Sequence, residues 1–293
     1  MSAFAFNLVR LNNTMLTGIR SPSFQPRETQ MPSETDGTIY QTSSPVIRAA
    51  PMARFSTIAV RSLFSLFGST RPPYVAMDGT NGLELIGAQI GTNVPGYASG
   101  TVHARRQGLN GLVALSGLSW RPRDVVEATV DAYWIAAAGG TNPVPPTTIA
   151  LPTIPVNTEQ LVLTGVSGIP ATRITSLDLS ITHQIENNDE SICYNTGLPY
   201  PILTKQPGVG GTVEIIQTVE TLDLTTTLSN GTVTSTFGVL NHNGLGLGAS
   251  TAFFTLNNPQ IREEEVAGKP ATRRITIRGT WDGTNSPITL GVA

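Results

Sequence analysis

Ile174-Thr-Ser-Leu-Asp-Leu-Ser-Ile-Thr-His-Gln-Ile185 alternates apolar and polar residues along most of its length. Leu177, Leu179 and Ile181 share one parity; Ser176, Asp178, Ser180 and Thr182 share the other. A period of two belongs to a strand with one face on a core and the other facing away. Downstream, Thr212–Leu228 begins with Val213 and Ile215 on one parity and ends with Leu222 and Leu224 on the other. A strand that changes parity must slip by a residue, which predicts a β-bulge or bend near Ile216–Val219.

The same reading extends outward in both directions. Gly231–Leu240, Ala252–Leu256, Arg274–Trp281 and Pro287–Gly291 read as strands on the C-terminal side. Leu83–Ile86, Thr101–Ala104, Gly111–Leu118 and Val125–Ile135 do so on the N-terminal side. Asp78-Gly79-Thr80-Asn81, Gly139-Gly140-Thr141-Asn142-Pro143 and Asp282-Gly283-Thr284-Asn285 supply turns between them. Composition agrees, because 29 Gly and 21 Pro in 293 residues suit many short strands joined by turns. The fold class expected is all-β, a sandwich or barrel.

One helix interrupts this pattern. In Arg54–Phe67, the residues Phe55, Ile58, Ala59, Leu63, Leu66 and Phe67 form one apolar stripe at helical spacing. Gly68 stands where a helix ends, with Pro72-Pro73 just beyond. Such a helix suits the open side of a sandwich. Residues 1–50 are rich in Ser, Thr and Pro and poor in periodicity, so they read as an extended arm with one short strand around Thr38–Gln41. An arm of that length is expected to pack on its own domain or on a neighbour. Residues 51–293 form the β-rich domain, either one unit or two lobes, 51–155 and 156–293. The proline-rich stretch 143–156 would be the connector. Val130–Leu151 and Ile275–Leu290 both run strand, Gly-Thr-Asn, Pro, apolar stretch. Duplication of a half is one reading of that likeness.

Charge is scarce. Only 13% of residues are ionisable Asp, Glu, Lys or Arg, against about 25% in an average soluble domain. A neutral, Thr-rich surface is what a subunit covered by its neighbours carries, since interface cores are depleted in charge. The net charge is −2 and no Lys/Arg run exists, which argues against a nucleic-acid groove. Cys193 is the single cysteine, so no internal disulfide forms. No apolar stretch is long enough for a transmembrane helix. The start, Met1-Ser-Ala-Phe-Ala-Phe, lacks the basic and apolar regions of a signal peptide. Assembly in a cytoplasm is the expectation.

Sites for chemistry are hard to find. His103, His183 and His242 lie far apart, and no HxH, HExxH or CxxC spacing gathers metal ligands. Gly208-Val-Gly210-Gly211 and Gly244-Leu-Gly246-Leu-Gly248 fall between strands, whereas a phosphate loop must open a helix. Glu186–Glu190 and Glu263-Glu264-Glu265 read as solvated loops, because neighbouring carboxylates do not flank a cleft as paired catalytic acids do. The reading is a non-enzymatic chain with no catalytic, cofactor-binding or metal residues.

Ser176–Asp189, a strand breaking into a polar loop, is followed by a Tyr/Pro-rich stretch, Tyr194–Pro201, and then by Gly210-Gly211-Thr-Val-Glu-Ile-Ile-Gln217. With the closing Arg274–Trp281 strand and its DGTN turn, and with Gly100–Asp131 earlier, this order resembles the tail-tube proteins of long-tailed bacteriophages. The resemblance covers about residues 55–290 as patterns. It implies a sandwich-to-barrel tube fold and subunits that form rings, commonly sixfold, stacked into a tube through an arm or long loop. It also implies a virion protein of the tail, assembled in the host cytoplasm, whose partners are itself and other tail proteins such as terminator, tape measure and distal tail. DNA would pass through the channel without sequence-specific binding, and no membrane would be involved. At 293 residues the chain exceeds a minimal one-domain subunit, so a tail hub, distal-tail or terminator protein is the alternative, as is a receptor- or carbohydrate-binding β module. In the tube reading the wall of the channel comes from Ile174–Ile185 and Thr212–Leu228. Their outward parities carry Asp178, Glu214, Glu220 and Asp223 but no Lys or Arg. These acids are the candidate lumen-facing residues, a row that would repel phosphates.

Overall fold

A computed structural model describes residues 6–30, 46–67, 73–89, 91, 96–98, 100–136, 142–154, 160–183, 186–187, 204–205, 209–218, 231–240, 247–265 and 272–293. The chain enters through β1 (Leu8–Leu11), β2 (Thr14–Leu16), β3 (Ile19–Gln25) and β4 (Glu28–Gln30). It continues through β5 (Val46–Ala49), β6 (Met52–Thr57), the helix α1 (Val60–Phe67), β7 (Tyr74–Ala76) and β8 (Leu83–Gly87). Next come β9 (His103–Gly108), β10 (Gly111–Trp120), β11 (Glu127–Trp134), β12 (Pro146–Ile149), β13 (Leu161–Val166) and β14 (Ile169–Pro170). The second half holds β15 (Ile174–His183), β16 (Glu186–Asn187), β17 (Thr204–Lys205), β18 (Val209–Thr218) and β19 (Thr232–Leu240). The last strands are β20 (Leu247–Asn257), β21 (Gln260–Glu265), β22 (Thr272–Gly279) and β23 (Ile288–Val292).

These strands build one long sheet and two short ones, with every described pair antiparallel. The long sheet has nine strands in the order β21-β22-β18-β15-β10-β11-β6-β3, with β7 paired to β10. The first short sheet runs β12-β9-β8-β1-β2 and the second β14-β13-β19-β20-β23. Two ribbons, β4–β5 and β16–β17, stand apart. The alternation that marked β15 as a strand also sets its inner face: Leu177, Leu179 and Ile181 are buried. One continuous core joins them to Val9, Leu11, Leu83 and Leu85 of the first short sheet and to Phe237, Phe254 and Leu290 of the second. That core crosses residue 155 without a break, so both expected lobes share it. All-β with one helix is the class observed.

Four readings of the sequence change. The helix begins at Val60, and Met52–Thr57 is a strand. Ala53, Phe55 and Thr57 are buried while Arg54 is exposed, a period of two that the longer helical stripe concealed. Thr57 turns the strand into the helix: its hydroxyl donates to the Thr17 carbonyl and accepts the Ala59 N–H at 3.0 Å.

Next, residues 8–25 are not an arm. Asn12 and Asn13 take φ of 45° and 67°, the left-handed pair of a tight hairpin, and fold β1 onto β2. β1 lies beside β8, and β3 forms one edge of the long sheet. The strand expected at Thr38–Gln41 lies outside the described residues, as does Gly68.

Finally, the acidic run Glu263–Glu265 is the end of β21, in register with Ile275, Arg274 and Arg273 of β22. The connector 143–156 likewise contains β12, paired to β9.

The bulge or bend expected near Ile216–Val219 is not seen in β18 as far as Thr218; an irregularity lies instead in the neighbouring β15. Register shifts between Ile174 and Ser176 of β15, opposite Gln217 and Ile216 of β18. Residues 219–230, where the parity changes, lie outside the described residues.

Candidate functional surface

The long sheet ends its outer face in paired charge. Ser119 of β10, Asp178 of β15, Glu214 of β18, Thr276 of β22 and Arg262 of β21 stand in one cross-strand row. Asp178 is the first of the candidate lumen acids, and Arg121 grips it with both guanidinium nitrogens, at 2.9 and 2.8 Å. Both side chains are about half exposed. Glu214 sits beside Asp178 in register, whereas Glu220 and Asp223 lie outside the described residues. The row of like charge expected of these strands is therefore broken at its first member. Arg121 lies just past the end of β10, outside the two strands from which the parity was read.

The same pattern recurs along this face. Arg54 donates to both carboxylate oxygens of Asp131 at 2.6 and 2.8 Å. The side-chain hydrogen bond to Asp131 and its charge raise the Arg54 pKa further above its ordinary value. Arg20 meets Glu127 at 2.8 Å, and at the far edge Arg262 meets Glu264 at 2.7 Å. Acid–base pairs thus recur on this face, although Glu214 stands beside Asp178 and Arg278 of β22 is exposed there opposite Thr212 and Gln260.

In the first short sheet the charge is internal. Glu84 is buried, and Arg10 and Arg105 both donate to it, at 2.6 and 3.3 Å. Arg105 also donates to the Thr147 hydroxyl at 3.0 Å, so one clamp ties β1, β8, β9 and β12 together. His103 is fully buried, and its Nδ1 accepts the Gln89 N–H at 3.0 Å, a structural role.

The second short sheet has no charge at all. Its strands read LVLTGV, IP, TVTSTFGVL, LGASTAFFTLN and ITLGV, with no ionisable residue among them. Val233, Phe237, Phe254, Leu256, Ile288 and Leu290 take the core face. Thr164, Thr234, Thr236, Thr255 and Thr289 are partly exposed on the other. Their hydroxyls bond across strands, Thr164 to Thr236 at 2.6 Å and Thr234 to Thr255 at 3.0 Å. Against this face the Ser167-Gly168 turn borders an open groove of about 340 Å³.

Each DGTN turn carries the chain from the long sheet to a short one: β7 to β8, and β22 to β23. The two are held alike. Asp78 Oδ1 accepts the N–H groups of Thr80, Asn81 and Gly82, and its Oδ2 accepts the Asn81 amide. Asp282 Oδ1 accepts those of Thr284 and Asn285, and its Oδ2 the Asn285 amide. Desolvation works to raise the Asp78 pKa, but these donors together bring it down to about 2. Donation from the Asn285 N–H and amide lowers that of Asp282. Just before the second turn stands Trp281, 67% exposed, to which the sequence reading gave no role beyond ending a strand. Its place ahead of a rigid turn was the available signal.

Among the described residues, no three His, Cys, Asp or Glu side chains are gathered as metal ligands. No helix among them is long and apolar enough to cross a membrane. Neither a scan against protein-family models nor a search of curated proteins finds a match to this chain.

Proposed function

We propose that this chain is a structural, self-assembling subunit of the phage tail-tube type, whose copies form rings stacked into a DNA-conducting tube. The observation that carries this reading is the partition of charge between the sheets. A freely soluble monomer keeps charge on every exposed face. Here one whole sheet has none, and its outer face is left to hydroxyls and a few apolar side chains such as Phe253 and Leu240. Such a face resembles the charge-depleted centre of an interface.

The acid–base pairs on the outer face of the long sheet support a channel wall there, with Arg278 of β22 the exposed exception. An unpaired Arg there would hold phosphates in a salt-dependent way, and the described Arg121, Arg54 and Arg20 are each matched to an acid. β15 and β18, the expected wall strands, are adjacent near the middle of that sheet. In this reading Asp178 of the wall is matched by Arg121 where the sequence suggested a bare row of acids. A negative-stain image of the purified protein tests the proposal. Tubes or stacked rings are expected; closed single rings point to a terminator or hub, and featureless monomers overturn it.

A further inference from the structure

The self-assembly reading leaves open how copies grip each other, and two features at one end of the second short sheet bear on that question. The first is a knob. Trp281 is the largest of the exposed apolar side chains, and its neighbours Trp120 and Trp134 in the tryptophan set are buried at 6% and 0%. Its pedestal is rigid: Asp282 cages the turn behind it, and Thr280 in front exchanges hydrogen bonds with Asn258 at 2.8 Å each way. A large aromatic held in place loses little freedom on binding, and Trp is the residue most enriched among interface hot spots.

The second is an open groove. The groove of about 340 Å³ is lined by Thr164, Ser167, Ile169, Pro170, Thr234 and Thr236. That volume lies at the small end of ligand pockets and suits one large side chain. Its wall is free of charge, apolar at the exposed Pro170, and rich in hydroxyl oxygens that can accept an indole N–H. A charged partner group would lose hydration there with no opposite charge to meet it. An indole would not.

We propose that Trp281 of one copy seats in the Thr-lined groove of a second copy. Knob and groove occupy different positions on one chain, so each copy offers both. The contact either closes a pair reciprocally or continues from copy to copy. The proposal rests on the self-assembly reading and adds its anchor.

Acrylamide quenching of tryptophan fluorescence tests it on the full chain, because Trp281 is exposed while Trp120 and Trp134 are not. Quenching is expected to fall as protein concentration rises through assembly. Trp281→Ala and Thr236→Lys should each raise the concentration for half-assembly by about tenfold or more. Val102→Ser, which alters another exposed apolar side chain, should leave it unchanged. An unchanged thermal midpoint in the two docking variants shows that they fold. Three outcomes overturn the docking alone: a wild type that assembles with Trp281 still quenched, a Trp281→Ala protein that assembles normally, or oligosaccharides protecting Trp281 in the monomer. A wild type that never assembles overturns the self-assembly reading as well.

Discussion

Asp78 and Asp282 hold two turns, far apart in the chain, by the same set of bonds. Each Oδ1 accepts the N–H groups two and three residues on, and each Oδ2 accepts the side-chain amide of the Asn three residues on. Both turns make the same crossing, out of the long sheet and into a short one. The likeness of Asp-Gly-Thr-Asn in sequence is therefore a likeness of structural task.

From this geometry Asp78→Ala is expected to lower stability by about 1 kcal/mol, the usual cost of losing a side-chain cap on backbone N–H groups. Asp78→Asn, which keeps an acceptor oxygen, should lose less. The pH dependence follows from a folded-state pKa of about 2 against an ordinary 3.8. A depressed carboxyl pKa stabilises the fold above the unfolded value and ceases to do so as pH falls through the folded one. Stability should thus decline between about pH 4 and pH 2 in the wild type, and less steeply in Asp78→Asn. Urea midpoints across that range check both statements.

Glu84 is the buried partner of two arginines whose own side chains are about one-quarter exposed. Glu84→Ala strands both cations in the first short sheet, with an expected loss of about 3 kcal/mol, the lower end for a broken buried pair because each guanidinium can still reach water. Arg10→Ala should cost less, since Arg105 continues to satisfy the carboxylate. Equal losses in the two variants by chemical denaturation would count against the clamp.

Gly82 follows the first DGTN turn at φ +59°, and a Cβ there would lie 2.0 Å from the Gly108 carbonyl oxygen. Gly82→Ala meets both a left-handed backbone and a clash with main chain that has no side chain to yield. An expected loss of at least 1–3 kcal/mol follows from the strain alone. Gly283→Ala sits at φ +98° with nothing within 4 Å, so it should be the milder variant. The two thermal midpoints, compared directly, separate conformational strain from crowding.

How much of this was legible in the sequence depended on whether one period stood alone. β15 was plain because Leu177, Leu179 and Ile181 alternate with polar residues for a full strand. β6 was not, because Phe55 fits both a strand beginning at Ala53 and a helical stripe reaching Phe67. The pairing of β6 with β11, where Arg54 meets Asp131, and with β3 decides between them. β1 and β2 are too short to show a period, and their signal was the Asn12-Asn13 turn. Glu263–Glu265 looked like a solvated loop because the matching bases, Arg273 and Arg274, arrive from the next strand. The surface was hidden for a similar reason: the parity of β15 and β18 shows their acids, whereas Arg121 comes from beyond β10.

That last pair gives the sharpest test of a channel wall. With Arg121 holding Asp178, a wall built from β15 in the proposed tube would offer DNA no free cation at this position. Asp178→Ala leaves Arg121 unmatched once in every subunit. The pair is half exposed, so the change in folding stability should stay below about 1 kcal/mol. Its effect on DNA should be larger, because the released cations repeat along the tube and each phosphate contact adds to the salt dependence of binding. Assembled Asp178→Ala protein is expected to retain DNA at low salt and release it as salt rises, while wild type and Arg121→Ala/Asp178→Ala release it throughout. If assembled Asp178→Ala retains no more DNA than wild type at any salt concentration, β15 does not face the channel.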